Sequence, residues 1–490
     1  MSDDQDLDRT GRAVAVHRRV SLRTPGMSGV ARTYRPGTPD QRGPEQITEA
    51  LRRSLAANDI EQDLTIEIRG AREHRLPTGT RGSGPGDMIV DVQDPGPGWE
   101  QVVLYQSEDG VLSWHFRDSE PAAELNLPVR YRLPGGVVRV DPGDGTTHRG
   151  LIGTIGVKVI RILVFRLVRE GAGWAGAEFA RAVESRRHPH RLRQFGPGDY
   201  TGAHRADLSA EALRHLASGR ALLMIHGTFS TAHGGFGHLP AETLRELHLR
   251  YDGRIFAFEH PTVATTPVGN VRWLSERLRQ SQVRLDLDVV CHSRGGLVGR
   301  VLSERPDLGD CGETISVGRV VMVGTPHAGT PLADVKRLEH LLGRFTTLLQ
   351  LVPTNGVTEA LDIVLALVKQ VAAGVATGLD GLMAMNPASD FLTTQLTGRD
   401  ARARYATAAA HYDPPAGGSL LRAARNGAMD LVFGAERNDL VVPTGSALAD
   451  RTFRLDAGDR LSFEAADGVD HFGYFARTEL SAALSRWLRG

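Results

Sequence analysis

The sequence predicts an α/β protein: a mostly parallel sheet flanked by helices, with a helical insertion, behind a smaller N-terminal β-rich domain. Three observations carry this. From about residue 205 strand-like and helix-like runs alternate, the pattern of a parallel sheet built from crossover units. Within it, CHSRGG (Cys291–Gly296) joins an apolar strand-like run to a helix-like one. Earlier, between residues 60 and 142, short runs alternate with period two and are separated by Gly, Pro and Asp turns.

In chain order, the first segment is basic. Eight arginines but a single acid, Asp40, lie between Arg9 and Arg42, which suggests a disordered arm over residues 1–42. Residues 43–60 read as a helix. LTIEI (Leu64–Ile68), MIVDV (Met88–Val92), QVVLYQ (Gln101–Gln106), VLSWHF (Val111–Phe116), VRYRL (Val129–Leu133) and VVRV (Val137–Val140) read as antiparallel strands of a domain at 43–142. Trp99 and Trp114 are expected in its core or at its edge. Residues 143–204 read as a helical connector. Its apolar part, Leu151–Val168, is interrupted by Lys158, Arg161 and Arg166, too many charges to span a bilayer. At helical pitch these residues and Arg169 form one cationic stripe. Such a rod would pack on the domain that follows or make peripheral membrane contact through 151–169.

Residues 205–490 read as one larger α/β unit. Strands are expected at Ala221–Ile225, Arg254–Phe258, Leu287–Cys291, Val320–Gly324, Tyr405–Ala410 and Asp430–Gly434, with helices around Ala241–Leu249 and Val271–Gln280. The insertion at about 331–385 repeats Leu361, Val364, Leu365, Val368, Val371 and Ala372 at helical spacing.

A serine at a strand-to-helix junction, with small neighbours two places away, is the arrangement of a nucleophile elbow. Here Cys291 and Gly295 are those neighbours of Ser293. A nucleophilic serine needs a base, a group that orients the base, and donors for the oxyanion. MIHGTFS (Met224–Ser230) ends the first strand of this region with His-Gly. It offers the backbone N–H of Thr228 or Phe229 beside that of Arg294. His226 is read as a loop residue, not the base. NDLVVP supplies Asp439, with Glu436 its nearest competitor, and VDHF supplies His471, with His327 and His411 as rivals. The order Ser293, Asp439, His471 is that of the strand–elbow–helix hydrolases.

On these residues the chain resembles the α/β-hydrolase superfamily over roughly 205–490, within its lipase and esterase branch. VGTPHAGTPLA (Val323–Ala333) is similar to a GTPH-x-G-T turn of that branch, and MNPASDFLTTQL (Met385–Leu396) to its segment returning from the lid. The resemblance implies an α/β-hydrolase fold, a lid at about 331–385 and cleavage of a carboxylic ester. Cys291 departs from the usual glycine. The same triad would serve an amidase, a thioesterase or a phospholipase. The N-terminal segments leave open a regulated or membrane-docking protein with the hydrolase as its output.

Lys plus Arg and Asp plus Glu are both 58, a balance that points away from nucleic acid. No P-loop, G-x-G-x-x-G or HExxH occurs, and the histidines lack metal-ligand spacing, so neither cofactor nor metal is expected. Two cysteines and an acidic start without an apolar core lead to the expectation of a cytoplasmic, unbridged protein.

Overall fold

The computed structural model describes residues 4–35, 48–73, 87–107, 110–118, 128–133, 157–166, 184–186, 188–203, 206–351, 357–374, 378–396, 403–413, 433, 436–448, 455 and 459–489. The expected strands at Val137–Val140 and, but for Phe433, at Asp430–Gly434 lie outside them, as do residues 151–156 of the apolar run.

The N-terminal domain consists of two antiparallel sheets. One has the order β1 (Gln5–Asp6), β4 (Met27–Tyr34), β5 (Ile60–Glu73), β10 (Lys158–Arg166), β7 (Trp99–Gln106), β8 (Leu112–His115). The other has the order β2 (Val14–His17), β3 (Val20–Arg23), β6 (Met88–Val92), β9 (Val129–Leu133). Leu22, Val90 and Tyr131 of the second sheet meet Ile66, Ile68, Val103 and Ile160 of the first in one core. Period-two alternation makes such faces, because successive side chains point to opposite sides of a strand.

Two sequence expectations are corrected here. Much of the basic arm is sheet: Val16, Val20, Leu22, Ala31 and Tyr34 are buried, while Arg19 pairs with Asp63 at 2.6 Å and Arg23 with Asp91 at 3.5 Å. Acids distant in sequence balance these arginines, so the local charge excess did not signal disorder. The apolar rod is, over its described part, the strand β10, paired with both β5 and β7. A strand covered on both faces loses its polar alternation and reads as a continuous apolar run. Arg161 is buried and donates to Gln106 Oε1 at 3.1 Å, and Arg166 lies over the Trp99 ring. The cationic helical stripe on which membrane contact was expected is therefore absent from 158–166. No helix among the described residues is long and apolar enough to cross a membrane.

The second half has the α/β-hydrolase fold. Its seven-stranded sheet runs β11 (Arg191–Gln194), β13 (Ile255–Glu259), β12 (Ala221–Ile225), β14 (Leu285–His292), β15 (Ile315–Val323), β16 (Arg404–Ala410), β17 (Arg460–Phe463). Only β11 is antiparallel to its neighbour. The helical connector thus contains two strands, β10 and β11. Beyond β16 the sheet is extended by β17, a strand not anticipated in the sequence. Helices Ala241–Arg250, Pro267–Gln280, Gly295–Glu304 and Thr478–Trp487 cover the sheet. Its buried strands, such as ALLMI, are apolar on both faces, as a covered parallel sheet requires.

The insertion contains two long helices, Leu338–Leu351 and Val357–Ala372. Their outer faces are covered by the N-terminal domain. Trp114 Nε1 donates to Thr346 Oγ1 at 2.9 Å and Leu112 N to Thr347 Oγ1 at 2.9 Å. Helix Glu49–Ala57 lies along the second helix, with Asn58 Nδ2 donating to Asp362 Oδ1 at 3.0 Å and accepting Lys369 Nζ at its carbonyl, 2.9 Å. One apolar core runs through Leu55, Leu104, Trp114, Phe345 and Leu361 into the hydrolase sheet.

Trp114 is 1% exposed at this junction. Trp114→Ala removes its ring and the donor to Thr346 Oγ1, a loss of about 3–5 kcal/mol. Urea denaturation of the full chain checks this. A loss below about 1 kcal/mol would show the junction to be loosely packed.

Candidate active site

Ser293 follows β14 directly and opens the helix Gly295–Glu304. Its φ is +54°, a left-handed conformation that is uncommon for a residue with a Cβ. The turn is enforced by close packing. A Cβ on Gly295 would lie 2.3 Å from the Ile225 carbonyl oxygen, and one on Gly296 would lie 2.1 Å from Thr325 Oγ1. The cysteine at 291 is accommodated one helical turn on. A Cβ on Gly299 would lie 2.7 Å from Cys291 Sγ, so the space refused at 299 is used by the larger side chain at 291. Cys291 and Cys311 are buried free thiols, and burial pushes both thiol pKa values up.

The structure brings Ser293, His471 and Asp439 together. His471 Nε2 is 2.9 Å from Ser293 Oγ, and His471 Nδ1 is 2.8 Å from Asp439 Oδ2. An ionised carboxylate only accepts hydrogen bonds, so the Nδ1 proton points at Asp439 and the Nε2 lone pair faces the serine hydroxyl.

Asp439 accepts from Val441 N at 3.0 Å and Val442 N at 2.7 Å through Oδ1. Through Oδ2 it also accepts the Tyr474 hydroxyl at 2.8 Å. Burial alone would push its pKa up. The His471 imidazole and the backbone donors outweigh burial and hold the carboxyl below its ordinary range. None of the three rivals stands in the place of this pair: Glu436 is exposed, His411 lies 3.8 Å from Asp413, and His327 is buried in the turn after β15, its N–H donating to the Thr325 carbonyl at 2.9 Å.

Thr228 and Phe229 were the alternatives for the oxyanion loop, and the two differ in their contacts. The Phe229 N–H is engaged, donating to Thr262 Oγ1 at 3.3 Å. Thr228 remains the loop's candidate donor beside Arg294. Thr228 is buried and its hydroxyl donates to Met385 Sδ at 3.6 Å, which ties the loop to the segment returning from the insertion. Gly227 permits the approach of loop to serine, since a Cβ there would lie 2.6 Å from Ser293 Cβ. In Gly227→Ala the loop must retreat. An ester assay should then show kcat reduced about a hundredfold, the cost of misplacement near 1 Å. An unchanged kcat would mean that the loop adjusts without consequence.

His226 is a loop residue, as read from sequence. Its Nδ1 lies 3.0 Å from the Gly227 carbonyl and its Nε2 accepts the His260 N–H at 3.2 Å. Burial pulls its pKa down to about 4, so the ring is neutral. Three participants were not evident in the sequence: Tyr474 on the acid, Thr262 under the oxyanion loop, and His292, whose Nε2 lies 2.9 Å from the His471 carbonyl oxygen. Tyr474 and His292 sit three and one residues from triad members, and only that adjacency could have drawn notice.

Phe345 of the insertion stands edge-on to Phe229 at 4.8 Å and to Phe472 at 6.0 Å. Phe472 follows the base. The ceiling over the oxyanion loop and the base is thus aromatic. Among the described residues no group of three or more His, Cys, Asp or Glu side chains is arranged to hold a metal ion.

Several solved structures are similar to this chain. Bacillus licheniformis lipase BlEst2 in its mature form is 18% identical, over 55% of this chain and 91% of that one, with a TM-score of 0.33. Lipase 1 from Pelosinus fermentans is 14% identical, over 55% and 99%, with a TM-score of 0.36. Staphylococcus hyicus lipase is 13% identical, over 55% and 95%, with a TM-score of 0.33. No curated protein matches the chain in sequence. A family model described as a domain of unknown function, DUF7379, matches residues 187–489, the β11-to-C-terminus unit that contains every residue of this site. The chain belongs to that family.

Proposed function

We propose that the protein is a serine hydrolase that cleaves carboxylic esters with an apolar acyl group. The observation that carries this is the unbroken chain from Ser293 Oγ through His471 to Asp439, with the serine at φ +54°. His471 Nε2 takes the Ser293 proton as Oγ attacks the ester carbonyl. Asp439 holds the imidazole in the required tautomer and stabilises the imidazolium that forms. The N–H groups of Arg294 and Thr228 receive the oxyanion, each donor supplying on the order of 3 kcal/mol. The imidazolium then protonates the leaving alcohol. Water, deprotonated by the same nitrogen, releases the acid from the acyl-enzyme.

The apolar preference is supported by Phe229, Phe345 and Phe472, and by Met385 beside Thr228. Apolar surroundings of this kind reward each methylene they bury by about 0.8 kcal/mol. An acyl-chain series of p-nitrophenyl esters, run beside a phospholipid panel, tests the proposal. kcat/KM should rise with chain length from acetate upward. A steady fall with chain length, or turnover of the phospholipids alone, would refute the substrate assignment.

A further inference from the structure

The residue after the nucleophile carries a large cation into the interior. The Arg294 side chain is fully buried. Its backbone N–H already has a part in the proposed mechanism; its guanidinium has none. A buried charge costs several kcal/mol unless it is paired and hydrogen-bonded, so its placement calls for a reason.

The guanidinium joins the elbow to two other segments. Nε donates to the Gly381 carbonyl at 2.8 Å, and Nη2 donates to the Thr265 carbonyl. Nη1 has no hydrogen-bond partner among the described residues. Gly381 belongs to the end of the insertion, in the short helix Asp380–Met383, and packs closely on the same loop. A Cβ there would lie 2.3 Å from the Thr265 oxygen, and Leu382 N donates to the Val263 carbonyl at 3.0 Å.

The loop at 262–265 is itself pinned from below. Buried Glu184 accepts the N–H groups of Thr262, Val263 at 2.7 Å and Ala264 at 2.8 Å. Burial lowers the Arg294 pKa to about 10, and the charge of Glu184 acts against that fall. The buried cation is thus balanced across the loop rather than by direct contact. The same loop reaches the other half of the oxyanion hole, because Thr262 Oγ1 accepts the Phe229 N–H at 3.3 Å, one residue after Thr228.

We propose that the Arg294 guanidinium and Thr262 set the spacing between the two oxyanion donors. Arg294 holds its own N–H in register with the 262–265 loop, and Thr262 holds the Thr228–Phe229 turn on that loop. Both are positioning residues, because neither side chain touches the reacting atoms. This rests on the esterase reading of the site and adds to it which side chains fix the geometry. A fixed arrangement of donors favours the tetrahedral state over the planar ester, so losing it should change kcat and leave ground-state binding nearly alone.

The test uses the full chain, with Arg294→Lys and Thr262→Val. Lysine keeps the charge but cannot reach two carbonyls as a planar fork does. Valine keeps the shape of Thr262 and removes its hydroxyl, which accepts the Phe229 N–H and donates to Glu184 Oε1 at 3.5 Å, while Glu184 keeps its backbone donors. Each is assayed for kcat and KM on a p-nitrophenyl ester, and for inhibition by an alkyl boronic acid, which forms a tetrahedral adduct on serine. The expected result is a kcat loss of about tenfold to a hundredfold. KM should stay within about twofold, and boronic acid affinity should fall in parallel with kcat. Should Arg294→Lys fail to fold, Thr262→Val decides alone. A raised KM with unchanged kcat, or a kcat loss with unchanged boronic acid affinity, would overturn the inference and leave the esterase reading standing. A wild-type chain without ester turnover would instead sink that reading.

Discussion

Ser293→Ala lowers kcat for ester hydrolysis by about a millionfold, the loss seen when a triad nucleophile is removed elsewhere. The fold is retained. The substitution deletes one hydroxyl whose hydrogen bond to His471 contributes about 1 kcal/mol, a shift in Tm of only about 1 °C for a chain of this length. Asp439 still holds the His471 ring at Nδ1, so the base stays in place with nothing to activate. A p-nitrophenyl ester assay beside thermal unfolding checks both halves. Residual hydrolysis within about a hundredfold of wild type would mean that another group attacks the ester.

Asp439→Asn is the second large effect, with an expected kcat loss of about ten-thousandfold. The backbone N–H groups of Val441 and Val442 hold the side-chain oxygen that faces them. The asparagine therefore turns its NH2 toward His471 Nδ1. That donor drives the ring proton to Nε2, where it opposes Ser293 and cannot accept the serine proton. The amide also no longer stabilises the imidazolium.

The stability difference between this variant and the wild type has a defined pH dependence. Because the folded pKa of Asp439 is depressed, its carboxylate contributes stability above the unfolded carboxyl value of about 3.9, and the contribution is lost as pH falls through the folded value. The gap between wild type and Asp439→Asn should therefore narrow as acid is added. A gap that widens on acidification would contradict the ionised state of Asp439.

The parts of this site that were legible in the sequence are those set by local geometry. A strand that runs into CHSRGG leaves little choice but a tight turn, and the sheet then orders the acid and base loops after it. What was not legible depends on burial by distant segments. β10 reads as a helix because, paired at both edges with β5 and β7, it also packs on both faces, Ile160 and Ile162 in one core and Leu163 and Phe165 in another. The arginines at 19 and 23 read as an unstructured arm because their acids, Asp63 and Asp91, lie far along the chain. Phe229 and Thr228 were equivalent as sequence, and only the position of Thr262 separates them. The burial of the Arg294 side chain had no local signal at all, since an arginine after a serine is ordinarily expected in water.

The N-terminal domain acquires a structural meaning from the same contacts. It does not stand apart from the hydrolase unit but supplies Trp114, Leu112 and Asn58 to the outer faces of the insertion helices, whose inner side presents Phe345 above the oxyanion loop.

The central claim, that Ser293 is the nucleophile, is tested most directly by treating the full chain with a fluorophosphonate and mapping the adduct by peptide mass spectrometry. The predicted result is a single phosphonylated residue, Ser293, with loss of ester hydrolysis in proportion to labelling and no adduct in Ser293→Ala. An adduct on a different residue, or labelling that persists in Ser293→Ala, would contradict it.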